Sequence, residues 1–178
     1  MSDNDILNQY ASSATLSTRR GLYDNNVGVS LTDRIDEQLQ LEHASTLLDV
    51  GCGYGADITT FTQRYPNLKI TGFDQSEAQV SDAKAATPSA TIFVGDANSF
   101  ELSEKFDRIL VRHVLHLVPN PRAVLERVLK HCQSGGHIVI AVHSTQSQPH
   151  FMSWRSWFMT QTGISCALPN EKLSLENQ

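Results

Sequence analysis

The chain has 178 residues, 40% hydrophobic and 19% charged, with a formal net charge of −5. That length supports one globular domain with a single core, and the acidic balance, with Lys and Arg scattered along the chain, disfavours a nucleic-acid partner, which needs a dense basic surface. No apolar run approaches the roughly 20 residues that span a bilayer, and the start MSDNDILNQY lacks the basic and apolar regions of a signal peptide. We therefore expect a soluble, cytoplasmic protein with no membrane partner. Cys52, Cys132 and Cys166 have no CxxC spacing, so neither a disulfide framework nor a metal site is expected.

Residues 1–44 are polar, with short apolar groupings at 16–23 and 35–41 that predict two modest helices forming an N-terminal cap outside the core. From Thr46 onward, short apolar runs alternate with amphipathic stretches, the pattern of βα units and a parallel sheet. Strands are predicted at 46–50, 68–73, 91–94, 108–111 and 137–142. Helices are predicted at 57–65, 76–86 and 121–132, stopped by Pro66, Pro88 and the Gly135-Gly136 pair. Right-handed crossovers order these as an α/β Rossmann-like doubly wound parallel sheet over residues 45–145. Its ligand crevice lies at the C-terminal strand ends, where the winding reverses.

The first of those ends reads Asp49-Val-Gly51-Cys52-Gly53-Tyr-Gly55 and opens a helix. Its glycines permit a tight turn and close backbone approach, and the helix N–H groups can aim at a ligand. Gly51, Gly53 and Ala56 also spell G-x-G-x-x-A, so a nicotinamide or flavin dinucleotide stands beside any other nucleotide reading. Asp74 ends the second strand, where a carboxylate can accept both ribose hydroxyls. Asp96, in Val94-Gly95-Asp96-Ala97, can accept from an adenine amino group, or it can cap a local turn.

In order and spacing, LLDVGCGYG, GFDQSEAQV, VGDA and FDRILVRHVLHLVPNPRAVLERVLKHCQSGGHIVIAV resemble the class I S-adenosylmethionine-dependent methyltransferases of small-molecule type, over residues 46–144. The resemblance implies S-adenosylmethionine as cofactor, with S-adenosylhomocysteine as product. Gly51, Cys52, Gly53 and Gly55 would face its methionine part, Asp74 and Gln75 the ribose, and Asp96 with Ala97 the adenine. Asp49 would orient the turn and reach the amino group, while Arg112 and His113 follow the fourth strand as further contacts. In the cap, Arg19 is either a partner of the methionine carboxylate or a solvated helix charge. Phe106-Asp107 and Leu115-His116 match motif pieces common in small-molecule members, with Leu117 where a second histidine is usual.

His113 is the catalytic candidate, with plain cofactor contact as its alternative reading. His143 ends the fifth strand and can act as a base or as a structural hydrogen-bonding group. His43, His131 and His137 occupy helical, linker or strand-start positions.

Beyond His143 the family usually continues through a helix and two more strands, whereas 35 residues remain here without strand alternation. We expect those strands to be missing, leaving residues 146–178 as an incomplete helix and tail. Self-association through the fifth-strand edge or the Trp154 to Met159 helix is then expected. The leading functional expectation is methyl transfer to a small-molecule acceptor. Its alternatives are a non-catalytic cofactor-binding module and an NAD(P)-dependent oxidoreductase. The latter leaves Asp96 unexplained and lacks a Tyr-x-x-x-Lys pair.

Overall fold

The computed structural model describes residues 30–142 and 160–161. The expected 16–23 helix, Arg19, His143 and the 154–159 segment lie outside them. Helix α1 spans Leu31–Leu39. Ser30 caps it, its hydroxyl accepting from the Asp33 N–H at 3.0 Å, and Gln40 closes it in the left-handed region at φ 52°. A 3₁₀ turn, Leu41–His43, leads into strand β1, Thr46–Val50.

The βα units follow as α2 (Ala56–Arg64), β2 (Lys69–Asp74), α3 (Glu77–Ala86) and β3 (Thr91–Val94). Strand β4 (Phe106–Arg112), α4 (Pro121–His131) and β5 (Cys132–Ala141) complete the described fold. Ser76 caps α3, and Asn120 caps α4 ahead of Pro121 in its first turn. Among the described residues no helix is long and apolar enough to cross a membrane.

All neighbouring strands are parallel, in the order β3-β2-β1-β4-β5. The expected doubly wound sheet is present, and its winding reverses between β1 and β4. Both faces of the central strands are buried, as a parallel sheet requires. Leu47 and Leu110 pack with Ile58, Phe61, Val80 and Ala83 on the α1–α2–α3 face. Leu48, Val50, Ile109 and Val111 pack with Phe100, Val124 and Val128 on the α4 face.

Two sequence expectations are corrected. Residues 31–41 are not a cap outside the core, because Ile35, Leu39 and Leu41 are buried in it. Short helices hide such a role, since a few apolar residues at helical spacing suit either a lid or a core stripe. The Gly135-Gly136 pair, expected to stop a helix at Cys132, instead forms a bulge inside β5. The helix ends at His131, Cys132 faces Phe106, and His137 already faces Arg108, so two steps along β4 match five along β5. Gly135 has φ 78°, and a Cβ on Gly136 would lie 2.7 Å from Cys132 Sγ and 2.9 Å from the Asp107 carbonyl. Both positions therefore need glycine.

Polar locks fix α1 against the sheet. Arg108 donates to the Leu39 carbonyl, satisfying a helix-end acceptor. Arg64 reaches Asp33 at 2.6 Å and the largely buried Asp36 at 2.8 Å, and the Tyr65 hydroxyl donates to Asp36 at 2.8 Å. At the sheet's opposite end from the crevice, Asp107 Oδ2 accepts from the Ser45 N–H at 2.8 Å. Its Oδ1 accepts from the Thr46 N–H and hydroxyl at 2.9 and 3.0 Å.

Asp107 thus clamps the start of β1. Removing it leaves the part-buried Thr46 N–H without its acceptor, which costs about 1–3 kcal/mol. We expect Asp107→Ala to lower the urea unfolding free energy by that amount with an unchanged denaturant slope. An unchanged midpoint would show that the clamp does not hold β1.

Candidate functional site

The turn after β1 rises into the space between β2 and β4. Gly51, Gly53 and Gly55 have φ values of 71°, 58° and 79°, a region that costs an L-residue about 1–2 kcal/mol. Space forbids side chains as well. A Cβ on Gly51 would sit 2.3 Å from Val114 Cγ2, and one on Gly55 2.9 Å from the Ala83 Cβ.

The N–H groups of the turn itself are used within the fold. Gly51 and Cys52 both donate to the Phe73 carbonyl at 2.9 Å, Gly53 donates to Asp74 Oδ2 at 2.9 Å, and Gly55 donates to the Cys52 carbonyl at 3.1 Å. The end of β2 shapes the turn.

Asp74 has a double duty. While Oδ2 holds Gly53, Oδ1 accepts from the Ser76 N–H at 3.0 Å, which sets the entry to α3. Each oxygen keeps a lone pair, and the residue is half-buried at the crevice with Gln75 exposed beside it. One strand over, Asp96 is exposed, and its Oδ1 accepts from the Asn98 N–H at 2.9 Å and the Asn98 side-chain amide at 2.8 Å. The local-turn role considered for Asp96 is therefore present, and Oδ2 remains for a ligand. Ala97 is buried at 8% exposure, and its N–H has no partner among the described residues.

The loop carrying these two residues is held from behind. Arg127 on α4 donates to the Asn98 carbonyl at 2.8 Å and pairs with Glu101. His131 accepts from the Leu102 N–H at Nε2, 3.0 Å away, while its Nδ1 lies 2.9 Å from the Arg127 carbonyl, so the neutral Nδ1–H form satisfies both contacts. Phe73, Phe100 and His131 pack in series behind the loop as tilted ring pairs, with centroids 4.9 and 5.0 Å apart.

Asp49 is buried at 3% exposure. Burial first, and then the charges of Asp57 and Asp74, push its carboxyl well above the usual carboxylate range, opposed by Arg112. Burial first, and then the charges of Asp49 and Asp74, push the Cys52 thiol far up, so Cys52 is no nucleophile at neutral pH.

Arg112 ends β4, where its Nη1 lies 2.6 and 2.7 Å from the two oxygens of Asp57 in the first turn of α2. The Thr32 hydroxyl of α1 donates to Asp57 at 2.8 Å. Asp57 and Thr32 were missed by sequence reasoning. Their one signal was an acid in the first turn of a helix, which ordinarily serves the helix dipole. His113 follows at φ 57°, its N–H donating to the Ala141 carbonyl at 2.8 Å, so it stands at the crevice tip where β4 and β5 end. His116 is buried in the next turn, His43 is exposed, and His137 lies within β5.

A parallel sheet ordered 3-2-1-4-5, with a glycine turn and carboxylates at its switch point, defines a doubly wound α/β domain of the nucleotide-binding kind. Family comparison is consistent with this class: a model described as a methyltransferase domain matches residues 41–172, and the chain belongs to that family. It is 25% identical over 112 residues to a trans-aconitate 2-methyltransferase of Azoarcus sp. (strain BH72), covering 63% of this chain and 44% of that protein. It is 33% identical over 105 residues to a dTDP-4-amino-2,3,4,6-tetradeoxy-D-glucose N,N-dimethyltransferase of Saccharopolyspora spinosa, covering 57% and 41%. Among solved structures, the SAM-bound amino pentose methyltransferase CalS10 from Micromonospora echinaspora superposes with a TM-score of 0.60 at 25% identity, covering 75% of this chain and 58% of that one. The chain spans less than half the length of these two curated relatives.

Proposed function

We propose that this domain binds S-adenosylmethionine at the crevice above β1, β2 and β4 and transfers its methyl group to a small-molecule acceptor in the cytoplasm. The observation that carries this reading is the glycine cradle. Side chains at Gly51 and Gly55 would strike Val114 and Ala83, so the backbone itself forms the wall, and Asp74 fixes that wall while keeping a lone pair on each oxygen. Family membership and the SAM-bound neighbour support the same cofactor.

The residues present fit that group. Gly51, Cys52, Gly53 and Gly55 would line its methionine end with Asp49, and Asp74 with Gln75 its ribose. Asp96 Oδ2 and the Ala97 N–H would take an adenine amino group and a ring nitrogen. The cofactor supplies a sulfonium-activated methyl group that needs no enzyme nucleophile. The chain's own work is to position the reacting partners and exclude water. His113, at the crevice tip of β4, is the residue we assign to contact the cofactor and to act on the acceptor. A nucleic-acid acceptor is outside this reading, given the net charge of −5.

Calorimetry tests the cofactor directly. S-adenosylmethionine and S-adenosylhomocysteine are expected to bind with micromolar affinity and NAD not at all, and ligand at about a hundred times its Kd should add roughly 2.7 kcal/mol of stability. Stabilisation by NAD with none from S-adenosylmethionine would return the site to the dinucleotide reading. Binding without methylated product from any small acceptor would favour the non-catalytic module.

Asp74→Ala removes charge-assisted hydrogen bonds worth about 1.5–3 kcal/mol, so affinity should fall roughly ten- to hundredfold in a folded variant. Unchanged affinity would remove Asp74 from the ribose site.

We also propose that the chain self-associates along β5. Among the described residues that strand is paired on one side, and Ile140 and Val142 are 44% and 38% exposed. Light scattering should then report a species heavier than 19.7 kDa, and a strict monomer at high concentration refutes it.

A further inference from the structure

Asp49 lies opposite Leu110 on β4 and opposite Gly72 on β2. Side chains alternate along a strand, so the next residues toward the crevice on the same face are Arg112 on one neighbour and Asp74 on the other. Asp49 is thus flanked by one cation and one anion. A third carboxylate, Asp57, comes from the first turn of α2, and among the described residues Cys52 on the glycine turn is a further titratable neighbour.

Arg112 does not stand free in this group. Its Nη1 lies 2.6 and 2.7 Å from the oxygens of Asp57 and 3.3 Å from the Thr32 hydroxyl, and Asp57 also accepts from Thr32 at 2.8 Å. With side-chain exposures of 17% and 9%, this ion pair is shielded from solvent, and its field on Asp49 is weakly screened. One contact set therefore ties α1, α2 and β4 together beside a buried carboxylate. Sequence placed Arg112 on the cofactor; the geometry turns it toward Asp57.

We propose that Arg112 is a positioning residue: held beside Asp49 by its ion pair with Asp57, it favours the ionised form of that buried carboxylate, so that Asp49 can hold the ammonium group of an α-amino-acid ligand. This rests on the cofactor assigned above. Within the pair Arg112 and Asp57 act on Asp49 in opposite senses. The cation favours the carboxylate, whereas the Asp57 charge opposes it and is tolerable beside Asp49 because Arg112 neutralises it.

The sign follows from linkage. An ammonium binds the ionised form of Asp49, so affinity rises with pH through the Asp49 titration, which burial and Asp57 push upward and Arg112 pulls back. Losing Arg112 moves that rise to higher pH, and losing the Asp57 charge moves it to lower pH. A salt bridge that served only to hold the fold would weaken binding in both variants without opposite displacements.

The experiment is calorimetric titration of S-adenosylhomocysteine from pH 5 to 8 into the wild-type chain, Arg112→Met, Arg112→Lys and Asp57→Asn. 5′-Methylthioadenosine, which lacks the amino acid, is the control ligand. We expect the midpoint of the affinity rise to move up by about one pH unit in Arg112→Met and down by a similar amount in Asp57→Asn. Arg112→Lys should stay near wild type, and the control ligand should show no displacement. Should Arg112→Met fail to fold, the downward shift in isosteric Asp57→Asn carries the test alone.

A large loss of affinity in Arg112→Met with the midpoint unmoved would overturn the proposal and make Arg112 a direct ligand contact. Equal displacement with the control ligand would also overturn it. If S-adenosylhomocysteine does not bind the wild-type chain at all, the cofactor assignment has failed, and that outcome is distinct from binding without the opposed shifts.

Discussion

The crevice depends on the close passage of the β1 turn over the end of β2. Gly51 and Cys52 share the Phe73 carbonyl and Gly53 is held by Asp74, so the turn takes its shape from its neighbour's last two residues. This explains why the glycines are required. The chain must leave β1, clear Val114 on one side and Ala83 on the other, and start α2 at Ala56, and only backbone with φ above 50° and no Cβ fits that path. Asp74 then links the turn to α3 through Ser76. A ligand bound there would meet a surface already fixed by internal hydrogen bonds, with little ordering left to perform.

Around this turn, charge is arranged so that each buried ion has a partner or a reason to be neutral. Asp57 is held by Arg112 and Thr32, and Asp36 by Arg64 and Tyr65. Among the described residues Asp49 forms no ion pair, and burial with the neighbouring acids pushes it toward its neutral form against the pull of Arg112. Buried pairs of this kind rarely add net stability compared with apolar packing, but losing one partner is costly because the other charge stays buried. Their evident effect is to fix α1 in one place against the sheet. Arg127 and His131 do the same for the loop after β3, from the opposite face. The two ends of the crevice are thus supported by different helices.

Methyl transfer in such a site would need no covalent enzyme intermediate, which agrees with the elevated Cys52 thiol and with the absence of any demand for a strong nucleophile. The chain's contribution would lie in placement, and placement errors of about 1 Å can cost on the order of a hundredfold in rate. The supports behind Asp49, Asp74 and Asp96 therefore matter as much to the proposed activity as the residues that face the ligand.

The order of strands and helices was legible in the sequence because it depends on short-range patterns. Apolar runs gave β1 and β3 to the residue, and the helix starts expected at Ser76 and Pro121 fall on the cap of α3 and the first residue of α4. The glycine spacing and the acids at strand ends were equally local. What only the tertiary structure decided was which polar groups meet. Asp57 and Arg112 are 55 residues apart, and Asp107 and Thr46 are 61 apart, so no periodicity links them. The Gly135-Gly136 bulge and the core role of Ile35 and Leu39 were likewise beyond local reading. A glycine pair ends a helix or kinks a strand depending on whether a neighbouring strand is there to pair with, and an apolar stripe belongs to a lid or a core depending on what packs against it.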